Sequence, residues 1–104
     1  MKPKKTITQR EIIALLQKHQ DILKKYKVKR IGLFGSYATG KYTKRSDIDF
    51  LVEFEHPTFD NFISLLNYLE KLYGRKVDIL TPDGVESIRV KEIANDIKKS
   101  VIYA

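Results

Sequence analysis

Three aspartates and a Gly-Ser pair carry the chemistry that this sequence offers. Gly35-Ser36 is followed, after ten residues, by Asp47-Ile48-Asp49, and a later acid, Asp78, stands inside the apolar run VDIL. Two Asp at i and i+2 on a strand project from the same face. Like charges held that close raise one another's pKa and destabilise the fold unless a cation lies between them. Mg²⁺ takes a few carboxylate oxygens together with waters and substrate phosphates, which such a pair can supply. If the strand bearing Asp78 neighbours the one bearing Asp49, a third carboxylate completes a cluster able to hold two metals for an in-line phosphoryl displacement. Gly35 lets backbone approach a phosphate closely. The Ser36 hydroxyl and the N–H groups of a following helical turn favour an anion. A phosphate cradle beside a carboxylate cluster predicts a nucleoside triphosphate site.

Each residue also has an ordinary structural account. Ser36 alone reads as a helix cap, Asp47 as a turn residue, and Asp78 as the ion-pair partner of Lys76 or Arg75. Asp49 resists this, because an acid within an apolar strand is costly to desolvate without a partner. The joint spacing, not any single residue, favours the site.

The elements that must position these groups follow from periodicity. Thr8-Gln9-Arg10-Glu11 has the form of a capping box. Behind it Ile12, Leu15, Leu16, His19, Leu23 and Tyr26 recur at helical steps, predicting one amphipathic helix over about 8–26. Val28 to Phe34 reads as a strand stopped by Gly35. Residues 36–46 are polar and predict one helical turn and a loop. Asp47 to Phe54 reads as a second strand, with Asp47, Asp49 and Leu51 on one face and Ile48, Phe50 and Val52 on the other. Its later half is apolar on both faces, which predicts a central position. Phe59 to Tyr73 carries a wide apolar helical face, and Gly74 sits where a helix terminates. Lys76 to Leu80 predicts a third strand, and Thr81-Pro82-Asp83-Gly84 a turn. Val90, Ile93, Ala94, Ile97 and Val101 predict a third long helix beginning near Glu86 or Ser87. The expected fold class is α/β (α+β). Three strands form a small mixed sheet packed by three helices in two layers, with a parallel crossover between the second and third strands.

Composition narrows the function classes. The 104 residues suit one domain, 1–104, with a basic tail at 1–6. No Cys is present, so a disulfide framework, a thiolate metal site and a Cys nucleophile are excluded. A Cys-free basic chain fits a reducing cytoplasm. No apolar run approaches the roughly 20 residues of a membrane span, and MKPKK lacks the apolar stretch of a signal peptide. The net charge of +7 points to an anionic partner and nothing finer.

IGLFGSYATGKYTKRSDIDFLVEF followed by KVDILTPDGV resembles the polymerase-β-like nucleotidyltransferase superfamily, and within it the minimal nucleotidyltransferase branch that includes antitoxins encoded beside HEPN-domain toxins. The resemblance covers about residues 8–104 and implies a small mixed sheet with helices on one side. It implies Asp47, Asp49 and Asp78 as metal ligands and catalytic carboxylates, Asp78 also as a base, and Gly35 and Ser36 as triphosphate-binding residues. It further implies Mg²⁺, as two ions, and ATP as substrate. The expected reaction is AMP transfer to a hydroxyl, a tyrosine, of a HEPN-family toxin, carried on a separate molecule. Lys41, Lys44 and Arg45 lie in the adjoining loop and could contact phosphates or an acidic partner. Tyr37 and Tyr42 suit packing better than base stacking, and His19 suits the edge of the core better than a metal. Two rivals stand beside this reading: an antitoxin that neutralises by binding alone, and a small basic nucleic-acid-binding module. Clustered acids disfavour the first. The lack of a recognition motif makes direct nucleic-acid binding the weaker expectation.

Overall fold

The computed structural model describes residues 7–104, so the basic tail expected at 1–6 lies outside the described residues. In chain order the elements are α1 (Gln9–Lys18), α2 (Gln20–Lys25), β1 (Val28–Phe34), α3 (Ser36–Thr39), β2 (Ile48–Phe54), α4 (Phe59–Tyr73), β3 (Val77–Leu80), α5 (Pro82–Glu86), α6 (Lys91–Ser100) and β4 (Ile102–Tyr103).

The sheet order is β3-β2-β1-β4. β1 runs antiparallel to β2 and to β4, while β2 and β3 are parallel, so the sheet is mixed and β2 is internal as its apolar pattern predicts. Strand alternation sorts the side chains into two cores. Ile31, Leu33, Ile48, Phe50, Val52 and Val77 face α1, α2 and α4 and pack with Ile12, Leu16, Leu65 and Leu69. Leu51 faces the other way and packs with Val85 of α5 and Ala94 of α6, joined by Phe34, Leu80, Ile97 and Val101. Helices therefore lie on both faces, not on one as expected. The second layer was missed because α5 is short and only Ala94 of α6 is buried.

Local chemistry explains most boundaries. The Thr8 hydroxyl accepts from the Glu11 N–H at 3.2 Å, and the Thr58 hydroxyl from the Asn61 N–H at 3.1 Å. Gly74 ends α4 in the left-handed region at φ 64°. The helix expected over 8–26 is instead two, broken at His19, whose Nδ1 pairs with the Tyr68 hydroxyl at 3.0 Å. The expected turn at 81–84 opens α5: the Thr81 hydroxyl accepts from the Gly84 N–H at 3.2 Å and Pro82 occupies the first turn, where its missing N–H costs nothing. The last long helix begins at Lys91, later than expected: α5 ends at Glu86, and a short connection leads to Val90, which caps α6 in an extended conformation. A fourth strand, Ile102–Tyr103, then pairs with Gly32 and Leu33. Gly32 is required there, since a Cβ would meet the side chains of Val101 and Tyr103.

Candidate active site

The site forms where β1 ends and β2 begins, on the sheet face that α5 and α6 cover further along. Phe34 pairs with Asp49 on one side, and Asp49 with Asp78 on the other. Register thus sets the two aspartates side by side on neighbouring parallel strands. Asp49 is half-buried and Asp78 is exposed on the edge strand. The desolvation cost of an acid inside an apolar strand therefore falls on Asp49, while Asp78, though set in the apolar run VDIL, stays exposed to solvent. Burial, then the Asp78 and Asp47 charges, raise the Asp49 carboxyl from 3.8 to about 6, and its protonated form is further favoured by a hydrogen bond with Asp78.

Gly35 makes this arrangement possible. It leaves β1 at φ 72°, ψ −151°, a region closed to side-chain-bearing residues, and a Cβ there would overlap the Asp49 carboxylate. Chain turn and carboxylate thus share one space that only glycine vacates. Ser36 opens α3 directly after it. The Gly35 carbonyl accepts from the Ala38 and Thr39 N–H groups, each at 3.1 Å, closing that turn.

Asp47, half-buried, lies just before β2, and its carboxylate is 3.9 Å from Lys76 Nζ. No group of three His, Cys, Asp or Glu side chains among the described residues is already gathered as a metal cage. The structure brings Asp49 and Asp78 together, with Asp49 against Gly35, and leaves Asp47 leaning towards Lys76. Lys76, anticipated as a partner for Asp78, serves Asp47 instead. Lys41, Lys44 and Arg45 are exposed on the connecting loop, which Thr43 and Ser46 pin through the Thr43 N–H to Ser46 Oγ bond at 2.8 Å. The donor set is all hard carboxylate oxygen, which fits Mg²⁺ better than a softer metal.

Sequence reasoning missed the supports of the turn. Tyr37 is completely buried and stacks on Tyr42, with centroids 4.4 Å apart. Its hydroxyl accepts from Arg75 Nη1 at 2.5 Å. Gln9 Nε2 donates to the Tyr37 and Ala38 carbonyls, both at 2.9 Å. Only the preference of Tyr37 for packing was legible.

Comparison with known proteins bears directly on this geometry. The nucleotidyltransferase domain family matches residues 16–104. The chain belongs to that family. Among relatives of this nucleotidyltransferase, a candidate protein adenylyltransferase of Methanocaldococcus jannaschii is 47% identical over 97 residues, covering 89% of this chain and 94% of that protein. The protein adenylyltransferase MntA of Thermococcus cleftensis is 36% identical over 99 residues, covering 93% and 96%. A solved candidate minimal nucleotidyltransferase has the same fold, with TM-score 0.74 at 24% identity over 95% of this chain and 98% of its own. A toxin–antitoxin crystal structure with AMP-PNP superposes with TM-score 0.60 at 22% identity, over 93% of this chain and 72% of its own. The nucleotidyltransferase is thus an enzyme whose relatives are named for protein adenylylation. No helix among its described residues is long and apolar enough to cross a membrane.

Proposed function

We propose that this protein is an Mg²⁺-dependent adenylyltransferase that attaches AMP from ATP to a tyrosine hydroxyl of a HEPN-family toxin and so acts as its antitoxin, in the cytoplasm. The observation that carries the reading is the Asp49–Asp78 pair, its Asp49 carboxylate packed against Gly35 and raised to about 6. A binding module has no use for two repelling carboxylates, one of them seated where only a glycine leaves room. The names of the relatives supply the acceptor class. The toxin–antitoxin structure carrying a nucleotide analogue is consistent with it.

In this reading Asp47, Asp49 and Asp78 hold Mg²⁺, two ions being the number their three carboxylates suit. Bound Mg²⁺ neutralises charge on the triphosphate and on the departing pyrophosphate. Gly35 and Ser36 seat the triphosphate at the end of β1. The acceptor oxygen forms a bond to the α-phosphorus as the bond to the pyrophosphate oxygen breaks. The hydroxyl proton passes to the carboxylate pair at Asp78, and pyrophosphate leaves. Asp47 must turn from Lys76 to contribute, which is cheap because that ion pair is long and partly exposed. Lys41, Lys44 and Arg45 meet phosphate or the partner from the loop.

The test is incubation of the purified complex with ATP and Mg²⁺. The partner's mass should rise by one AMP or a small multiple, with matching pyrophosphate release. An unchanged partner mass in a complex shown to be assembled overturns the enzymatic reading in favour of neutralisation by binding.

A further inference from the structure

The phosphate-side turn and the β3 end of the carboxylate cluster come from different parts of the chain, and a part-buried contact ties them together. Tyr37 directly follows Ser36, is fully buried and is held flat against Tyr42 at an interplanar angle of 13°. Its hydroxyl receives Arg75 Nη1 at 2.5 Å. Arg75 precedes Lys76, which pairs with Asp47 and whose carbonyl accepts from the Ile48 N–H at 3.1 Å. Ile48 stands between Asp47 and Asp49, and Asp78 lies two residues beyond Lys76. A short path of bonds therefore runs from the residue after Ser36 to all three carboxylates. From the opposite side, Gln9 holds the Tyr37 and Ala38 carbonyls.

We infer that the Tyr37–Arg75 contact is a positioning strut that sets the Gly35-Ser36 turn against the Asp47, Asp49 and Asp78 carboxylates, and that it governs the chemical step rather than nucleotide affinity. This deepens the proposed transfer reaction and rests on it for its kinetic consequence. A turn of four residues closed by few bonds does not fix its own orientation relative to a sheet. An aromatic ring locked by stacking and a guanidinium does. In-line displacement is sensitive to misplacement of reacting groups by about 1 Å, which can cost on the order of a hundredfold in rate. Phosphate binding through the turn itself survives such a shift. Tyr37 is fully buried, so the strut acts through Ser36 and β3.

The experiment uses Tyr37→Phe, which keeps the ring and removes the acceptor oxygen, with Arg75→Ala, Arg75→Lys and the Tyr37→Phe/Arg75→Ala double variant. In the free protein, hydrogen exchange is read at Ala38, Thr39 and Lys41, whose amides close the turn, and at the β1 and β2 amides. The strut predicts exchange about tenfold or more faster at the three turn amides, with the strand amides unchanged. In the assembled complex with Mg²⁺–ATP it predicts a kcat lower by roughly ten- to hundredfold per folded molecule, with KM for ATP within about threefold. The double variant should be no worse than either single variant, and Arg75→Lys should recover part of the loss. Turn exchange at the wild-type rate, or exchange rising equally throughout the sheet, overturns the strut. So does selective loosening of the turn with kcat unaltered. If the wild-type complex transfers no AMP, the reaction assignment falls instead, and the exchange pattern alone decides whether the strut holds the turn.

Discussion

At the scale of single residues the site is a conflict held in place by its surroundings. Asp49 has a folded-state pKa near 6 against 3.8 when unperturbed, so the native state binds its proton more tightly than the unfolded chain does. That contribution to stability is fully present below about pH 3.8 and is lost as pH rises through 6. Melting temperature of the metal-free protein should therefore fall across pH 4 to 7 at this residue's expense, and Asp49→Asn should remove that component. At pH 7.5 the metal-free Asn variant should melt at or above wild type, yet show no transfer and a smaller rise with Mg²⁺–ATP. A variant that melts much lower but keeps its specific activity would show Asp49 to be structural. Ser36→Ala removes one hydroxyl from a turn whose backbone donors remain. A single hydrogen bond to a charged group is worth about 1.5–3 kcal/mol, so steady-state kinetics should show roughly a ten- to hundredfold lower kcat/KM, with folding intact. Gly35→Ala should be worse in both respects. Backbone strain there is about 1–3 kcal/mol, and the added methyl displaces the Asp49 carboxylate; a urea melt and the transfer assay should both report loss.

Elements that carry strong periodic patterns were legible, and those defined by local competition were not. β1, β2, β3 and α4 follow from alternation or a wide apolar stripe, and the parallel pairing of β2 with β3 follows from the helix between them. The break at His19 is invisible to periodicity, because the apolar series continues across it; there the imidazole meets the Tyr68 hydroxyl, 49 residues away. β4 is too short to leave a pattern and exists only because Gly32 leaves room for Val101 and Tyr103. The site divides in the same way. Gly35, Ser36, Asp47 and Asp49 stand out by spacing, and Asp78 by its apolar setting. Tyr37 was legible only as a packing residue and Arg75 only as a partner for Asp78, while their contact with each other and the hold of Gln9 on the turn arise from three distant segments meeting. Thr58 offers a test at this scale. Its hydroxyl caps α4, whose Leu65 and Leu69 are fully buried, so Thr58→Ala should cost about 1 kcal/mol in equilibrium denaturation without changing nucleotide affinity.

Across the whole molecule, four strands divide two unequal cores, and the carboxylate site opens at the end where β1 and β2 meet. The larger core joins α1, α2 and α4 to the sheet, with the Tyr73 hydroxyl donating to the Ile12 carbonyl at 2.8 Å between α4 and α1. The smaller core rests on Leu51, Val85 and Ala94. Val85→Ala should therefore loosen α5 and α6 before the rest, which site-resolved hydrogen exchange would show as early opening confined to residues 82–103. The edge position of Asp78 has another consequence, for solubility. β3 is an edge strand of the sheet, the usual template for one sheet adding to another, and of its backbone groups the Val77 N–H is already taken by the Glu70 carboxylate at 3.3 Å. An exposed carboxylate in the middle of a four-residue edge places a charge where a second copy would have to dock. The group proposed for the reaction would then also keep the protein from stacking on itself. Replacing it by valine should produce concentration-dependent association by sedimentation or light scattering that wild type lacks at the same concentration, while asparagine, equally inactive but still polar, should associate less.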